Sequence, residues 1–220
     1  LLMSMAGVGY RLGYGITGGG FLLHDNVPYD PAVHQVLSNL RLLESLHILH
    51  DNKLLPFEHS NEETSVFWQK AGKELSPSLK PRLILHMGSG YPSKRWPAEK
   101  FLELIYLLEK EELAQIVLIG TESEKAFMPD LKPLSDRLID LRGKTQLSDL
   151  PVLFDASDLF VGNDSGPAHI AAAQGLEIVL LASGTNEIRY WYPWTEKLHI
   201  IQYEVPCSPC EAPVCPVDDH

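Results

Sequence analysis

From about residue 82 onward, short β-rich apolar runs alternate with segments of helical period, and this alternation limits the fold more than any other feature. The runs are Arg82–Met87, Gln115–Ile119, Leu138–Leu141, Asp158–Val161, Glu177–Leu181 and Leu198–Gln202. Strands separated by helix-length segments read as parallel βαβ units. In Pro97–Glu112, the side chains of Phe101, Leu104, Ile105 and Leu108 recur at one helical face, and Pro97 suits the first turn. Gln146–Ser157 places Leu147, Leu150 and Phe154 on one face, with Pro151 as a disturbance. Pro167–Gln174 reads as a short helix that Gly175 ends in a left-handed conformation. The pattern predicts an α/β protein with a Rossmann-like, doubly wound parallel sheet.

Residues 1–80 differ. Gly7, Gly9, Gly13, Gly15 and the run Gly18–Gly20 crowd the start, followed by an apolar run at Phe21–Leu23. Pro31–His50 carries a helical stripe of Val33, Val36, Leu37 and Leu40. Asp51–Thr64 is polar and reads as a linker, Thr64–Leu75 as a helix and Ser76–Pro81 as a loop. These strands are too few to close a sheet. The organisation expected is therefore a remnant of an N-terminal domain with its linker over 1–62 and a Rossmann-like domain over 63–220. Leu1 is read as internal to a longer polypeptide.

Charge narrows the partners. Eighteen Lys and Arg against 29 Asp and Glu leave a net charge of −11. Such a chain offers no general positive field to nucleic acid, although a local pocket for one small anion remains open to it. No apolar run approaches the ~18 residues of a membrane span. A cytoplasmic protein is expected, because the three cysteines cluster at the end rather than forming a secreted disulfide scaffold.

Three strand-to-helix junctions carry chemistry. Gly162-Asn163-Asp164-Ser165-Gly166-Pro167-Ala168-His169 opens a helix whose free N–H groups and dipole suit an anion. Gly166 admits close backbone approach, Ser165 can cap or donate, and His169 reaches back from one turn in. Each residue alone has an ordinary structural role available; their convergence on one junction favours a site. The second junction, His86-Met87-Gly88-Ser89-Gly90-Tyr91-Pro92-Ser93-Lys94-Arg95-Trp96-Pro97, adds cationic charge beside a glycine-serine cradle. It is not a Walker A loop, because Ser93 stands where glycine is needed and Arg95 replaces Ser or Thr. The third, Gly120-Thr121-Glu122-Ser123-Glu124, offers a carboxylate for ribose hydroxyls or simply a solvated acidic helix start.

Other patterns are weaker. Gly7-Val8-Gly9-Tyr10-Arg11-Leu12-Gly13 imitates a dinucleotide fingerprint without a preceding strand. Asp164-Ser165-Gly166 is shared with trypsin-like proteases, whose flanks are all-β rather than α/β. Cys207, Cys210, Cys215 and His220 have the types and spacing to wrap zinc. Four prolines in 206–216 favour instead a Cys/Pro-rich capping loop with reduced thiols.

Taken together, the segments resemble glycosyltransferase family 9, the ADP-heptose:lipopolysaccharide heptosyltransferases. The resemblance runs, in family order, through Gly88-Ser89, Lys94-Arg95-Trp96-Pro97, Ile116–Gly120 with Glu124, Leu141–Leu147 and Val161–Ala173. It covers roughly 82–205, with Tyr10–Tyr14 and His34 similar to the end of the family's N-terminal domain. It implies the GT-B architecture, two Rossmann-like domains with the nucleotide-sugar donor held mainly by the C-terminal one. By this resemblance Lys94 meets donor phosphate, with Gly88 and Ser89 beside it among the donor-binding residues, and the N–H groups of Ser165 and Gly166 hold the diphosphate. Asp164 and His169 line the same pocket, and Glu124, with Glu122 as the alternative, takes the ribose.

The implied reaction is inverting, metal-independent transfer of a sugar, heptose in the first instance, from a nucleotide-diphosphate donor such as ADP-heptose to a lipid-linked, lipopolysaccharide-core-type acceptor. A peripheral position at the inner membrane would suit that acceptor. The family's catalytic base lies in a glycine-aspartate motif with no counterpart here, so no base is assigned, and the chain alone is expected to bind donor without transferring sugar. Two other functions fit the same pocket: a GT-B sugar-nucleotide epimerase and a non-catalytic nucleotide-binding module.

Overall fold

The structure, a computed structural model, describes residues 2–72, 75–76, 78–127, 131 and 136–217. The chain divides into two units, Leu1–Lys53 with Arg189–Trp191, and Leu54–Ile188 with Tyr192–His220.

The first unit contains helix α1 (Leu2–Met5), strands β1 (Leu12–Tyr14) and β2 (Asp25–Val27), and helix α2 (Gln35–Ser45). The two strands pair in parallel, Leu12 opposite Asp25. The Phe21–Leu23 run is not a strand: Gly20–Leu22 forms a 3-10 turn and Phe21 is exposed. The buried His34 caps α2, its Nδ1 accepting from Val36 N–H at 3.1 Å.

The second unit opens with α3 (Asn61–Ala71), then β3 (Arg82–His86), α4 (Ala98–Lys110), β4 (Gln115–Ile119), β5 (Leu138–Asp140), α5 (Leu150–Asp155), β6 (Leu159–Asn163), α6 (Gly166–Ala173), β7 (Glu177–Ala182) and β8 (Leu198–Gln202). The last six strands form one wholly parallel sheet in the order β5-β4-β3-β6-β7-β8. This is the expected α/β, doubly wound sheet. Chain order runs outward from β3 in one direction and, from β6, in the other, so the order reverses between β3 and β6. Ligands of open α/β sheets bind at that reversal, outside the carboxyl ends of the strands.

Each strand serves two cores because its side chains alternate across the sheet. Leu83, Leu85, Ile116 and Leu118 pack with Phe101 and Ile105 of α4 on one face. Ile84, Val117, Ile119, Phe160 and Ile178 pack on the other with Phe67 of α3, Phe154 of α5 and Ala168, Ala171 and Ala172 of α6. Gly175, at φ +74°, follows α6, and Leu176 N–H returns to Ala171 O at 3.1 Å.

Several boundaries shift from the sequence pattern. Helix α3 starts at Asn61 because Ser60 and Glu63 form a reciprocal capping box, with Ser60 Oγ accepting from Glu63 N–H at 3.1 Å. Pro97 is the N-cap of α4 rather than a first-turn residue. The Gln146–Ser157 segment splits into a 3-10 turn at Leu147–Asp149 and then α5, with Pro151 in the first turn, where its missing N–H goes unused. Leu147 consequently leaves the buried stripe and is 67% exposed, whereas Leu150 and Phe154 stay buried.

Candidate functional site

Parallel pairing of β3 with β6 brings the loops that leave them, 87–97 and 164–165, side by side. Asn163, fully buried at the end of β6, ties them together. Its Nδ2 donates to Met87 O at 2.7 Å and to Gly88 O at 3.3 Å, and its Oδ1 accepts from Trp96 N–H at 2.8 Å. Ser89 Oγ adds a bond to Asp164 O at 3.3 Å. One amide side chain thus holds the glycine-serine loop, the base of the lysine turn and the strand end in register.

The charged centre follows from that register. Lys94 Nζ lies 2.8 Å from Asp164 Oδ2, with the two side chains 18% and 7% exposed. Asn186 Nδ2 donates to the same oxygen at 3.1 Å. An ammonium has three donors, so the pair orients Lys94 and still leaves hydrogens for an anion. His169 stands near both charges: burial lowers its pKa from the usual imidazole value, Asp164 opposes and Lys94 adds to the lowering. The ring is therefore neutral near pH 7.

Glu124 occupies the other side of the reversal. Thr121 N–H donates to its Oε2 at 2.6 Å, and His86 Nε2 lies 3.8 Å from the same oxygen. Burial pushes the carboxyl up, but His86 and the Thr121 backbone outweigh it and hold the pKa at about 2. The carboxylate fits only because Gly88 has no side chain: a Cβ there would fall 1.7 Å from Glu124 Oε1. Glu122 faces Lys125, 2.7 Å away, and its side chain is 73% exposed.

Between Glu124 and the start of α6 lies a cavity of about 330 Å³. Its polar wall includes Ser89, Glu124, Ser165 and the backbone of Gly166, and Thr145, Gln146, Leu147 and Leu150 close the far side. Ser165 precedes α6 without capping it. Its Oγ donates to Asn163 O at 3.0 Å and accepts from His86 Nδ1, 3.1 Å away. A Ser-His-Glu contact of this kind is not a hydrolase triad, because the hydroxyl proton is already given to a carbonyl and the imidazole stands too far from the carboxylate.

The structure therefore gathers Gly88, Ser89, Glu124, Asp164, Ser165 and Gly166 around the reversal, with His169 beside Asp164. Lys94 joins from the other side of the Asp164 turn and lines a neighbouring cavity of about 360 Å³. Sequence reasoning included His86 and Asn163 in their junctions without giving either a role, and did not single out Asn186. His86 and Asn163 end strands that face each other across the switch, a signal visible only with the strand order known. Cys207, Cys210 and Cys215 all line the 360 Å³ cavity, and His220 lies outside the described residues. Among the described residues no group of three or more His, Cys, Asp or Glu side chains is placed to hold a metal ion, and no helix is long and apolar enough to cross a membrane.

Comparisons with known proteins agree with this architecture. The Escherichia coli K12 protein named lipopolysaccharide heptosyltransferase 3 is 28% identical over 179 residues, covering 77% of this chain and 49% of its own length. The solved E. coli ADP-heptose lps heptosyltransferase II superposes with a TM-score of 0.73 at 24% identity, over 91% of this chain and 63% of that one. E. coli heptosyltransferase WaaC, solved with ADP-2-deoxy-2-fluoro heptose, gives 0.65 at 18% identity, over 91% and 62%. This chain spans about half the length of the first of these relatives. Its fold is that of the GT-B heptosyltransferases. The family model described as glycosyltransferase family 9 (heptosyltransferase) matches residues 1–220, and the chain belongs to that family.

Proposed function

We propose that the chain carries the donor-binding side of an inverting glycosyltransferase that moves heptose from a nucleotide-diphosphate donor, ADP-heptose, to a lipopolysaccharide-core-type acceptor. One observation supports this above the rest: Lys94, held on Asp164, and the N-terminus of α6, which begins two residues later, flank one turn at the sheet's switch point, and the helix start lines a cavity walled by an ionised Glu124. In this arrangement the nucleoside enters the 330 Å³ cavity, with its base against Leu147 and Leu150 and its ribose hydroxyls donating to Glu124. The diphosphate then lies across Ser89, Ser165 and Gly166, beside the N-terminus of α6. Lys94 closes on it from the Asp164 side.

Transfer requires the departing nucleotide diphosphate to be stabilised as negative charge develops. A lysine and a helix N-terminus do this without a metal ion. Asp164 contributes by fixing Lys94, and its Oδ2 accepts from Asn186 Nδ2 as well. A lipid-linked acceptor would bring the enzyme to a membrane surface as a peripheral protein.

Calorimetric titration with ADP at low salt tests the proposal. The native chain binds, and Lys94→Ala weakens binding by about 1–3 kcal/mol through loss of a charge-assisted phosphate bond. An unchanged dissociation constant would remove Lys94 from the site. Epimerisation of UDP-N-acetylglucosamine by the full-length protein, without any acceptor, would replace the transferase proposal with the epimerase.

A further inference from the structure

The Cys/Pro-rich tail is a sequence motif that the donor site does not absorb, and its hydrogen bonds lead back to that site. Ser93, immediately before Lys94, donates twice to the tail: its N–H to Pro213 O at 3.2 Å and its Oγ to Ala212 O at 2.5 Å. On the other flank, Glu211 N–H donates to Thr185 O at 2.7 Å and Cys210 N–H to Gly184 O at 3.4 Å. Thr185 immediately precedes Asn186. The tail thus bonds the neighbours of both side chains that grip the Asp164 carboxylate, Lys94 and Asn186.

Thr185 is the centre of this arrangement. It is 3% exposed, its Oγ1 donates to Ser93 O at 3.3 Å, and it accepts from Ser183 Oγ at 2.9 Å. Its hydroxyl therefore joins the lysine turn to the β7 loop, while its carbonyl holds the tail. Gly184 lets the tail approach: a Cβ there would lie 2.7 Å from Val205 Cγ2 and 3.2 Å from Ser208 Cβ. Contacts this close leave no room for a methyl group unless the tail moves.

We infer that Val205–Pro213 is a strap, with Thr185 as its positioning residue, that sets Lys94 and Asn186 against Asp164 for the phosphate-bearing part of the donor. The inference deepens the donor-site proposal and rests on it. The strap touches nothing in the 330 Å³ nucleoside cavity, whose lining includes neither Thr185 nor any tail residue. It acts on affinity for the diphosphate and not for the nucleoside.

Thr185→Val, which keeps shape and removes the hydroxyl, is measured beside Thr185→Ser, which keeps the hydroxyl. ADP and adenosine are titrated separately by calorimetry, and hydrogen exchange is followed in the unliganded protein. Thr185→Val should weaken ADP roughly threefold to tenfold, the scale of one lost hydrogen bond, and leave adenosine unchanged, with Thr185→Ser close to native. Exchange should accelerate in Tyr91–Trp96 and stay native in β3. Gly184→Ala, which displaces the tail directly, should give the same pattern. Native ADP affinity in both Thr185→Val and Gly184→Ala, or equal weakening of ADP and adenosine, overturns the strap. If the native chain binds neither ligand, the donor proposal fails on its own, and exchange unchanged over Tyr91–Trp96 then overturns the strap separately.

Discussion

Replacing Asn163 by Asp keeps the shape of the side chain and reverses one hydrogen bond, so its consequences can be worked from the geometry. One oxygen still accepts from Trp96 N–H, at 2.8 Å in the native protein. The other replaces a donor that sits 2.7 Å from Met87 O and 3.3 Å from Gly88 O. Ionised, it faces two carbonyl oxygens in a site with 0% exposure; protonated, it restores the donor. The folded-state pKa of the new carboxyl is therefore raised above its unfolded value of about 3.9. Full burial raises such a group by roughly 3 units, or about 4 kcal/mol, and the retained Trp96 bond offsets part of this. A raised carboxyl pKa destabilises as pH increases: the variant is near native below about pH 4 and loses stability from there until the folded pKa is passed. Urea denaturation of both chains should show a gap of about 1 kcal/mol at pH 4 widening to roughly 3 kcal/mol at pH 7, with m unchanged. Acid-labile native carboxylates are present in both chains and cancel in the difference. A gap that is flat across this range, or below about 1 kcal/mol at pH 7, would falsify the role given to Asn163.

Two further perturbations address the nucleoside side. Gly88→Ala puts a methyl 1.7 Å from Glu124 Oε1 and 2.9 Å from His86 Nε2; the flexible carboxylate swings away and gives up its bond to Thr121 N–H, at a cost of about 1–3 kcal/mol, while adenosine affinity falls roughly tenfold. Adenosine titration of Gly88→Ala at native affinity would show that Glu124 does not meet the ribose. Glu124→Gln removes a carboxylate held at about 2, whose contribution to stability is present at neutral pH and is lost as pH falls from about 4.5 toward 2. Partial solvent access limits that contribution to about 1–2 kcal/mol, so the stability difference between native and variant should shrink by this amount in acid, and a difference independent of pH would contradict it.

The sheet was legible because each of its strands is a short apolar run bounded by polar residues or turns, and Gln115–Ile119 and Leu198–Gln202 match their strands residue for residue. The α4 stripe was legible for the same reason: Phe101 and Ile105 recur at helical spacing and are buried. What escaped was set by contacts distant in sequence or by a local bond that competes with periodicity. Leu147 continued a helical stripe, but the chain enters α5 through a 3-10 turn and leaves that side chain at the cavity wall. The capping box at Ser60 and Glu63 was present in the sequence and overruled a linker assignment based on polarity. His86 carries no local signature; its significance comes from Ser165, 79 residues away, and from Glu124 on the next strand's loop. Asn186 likewise depends on β7 lying beside β6.

A chain with net charge −11 repels anions at long range, so the proposed site for a nucleotide diphosphate has to supply its attraction locally and already oriented. The Lys94–Asp164 pair looks at first like a loss, since the carboxylate cancels the charge that phosphate needs. Its geometry explains why it helps instead. A lysine side chain free in solvent gives up roughly 2 kcal/mol of rotamer entropy when it is fixed, and here Asp164, Asn163 and Ser93 have fixed the turn before any ligand arrives. Asp164 is in turn shared between Lys94 and Asn186, so its charge is spread over donors and not directed outward at the phosphate. The α6 N–H groups need no such compensation, because they carry no net charge and are rigid by construction. On the donor-site proposal the pocket separates two tasks: the helix start supplies a fixed positive potential, and the braced lysine supplies the ion that tracks charge as it moves onto the leaving diphosphate.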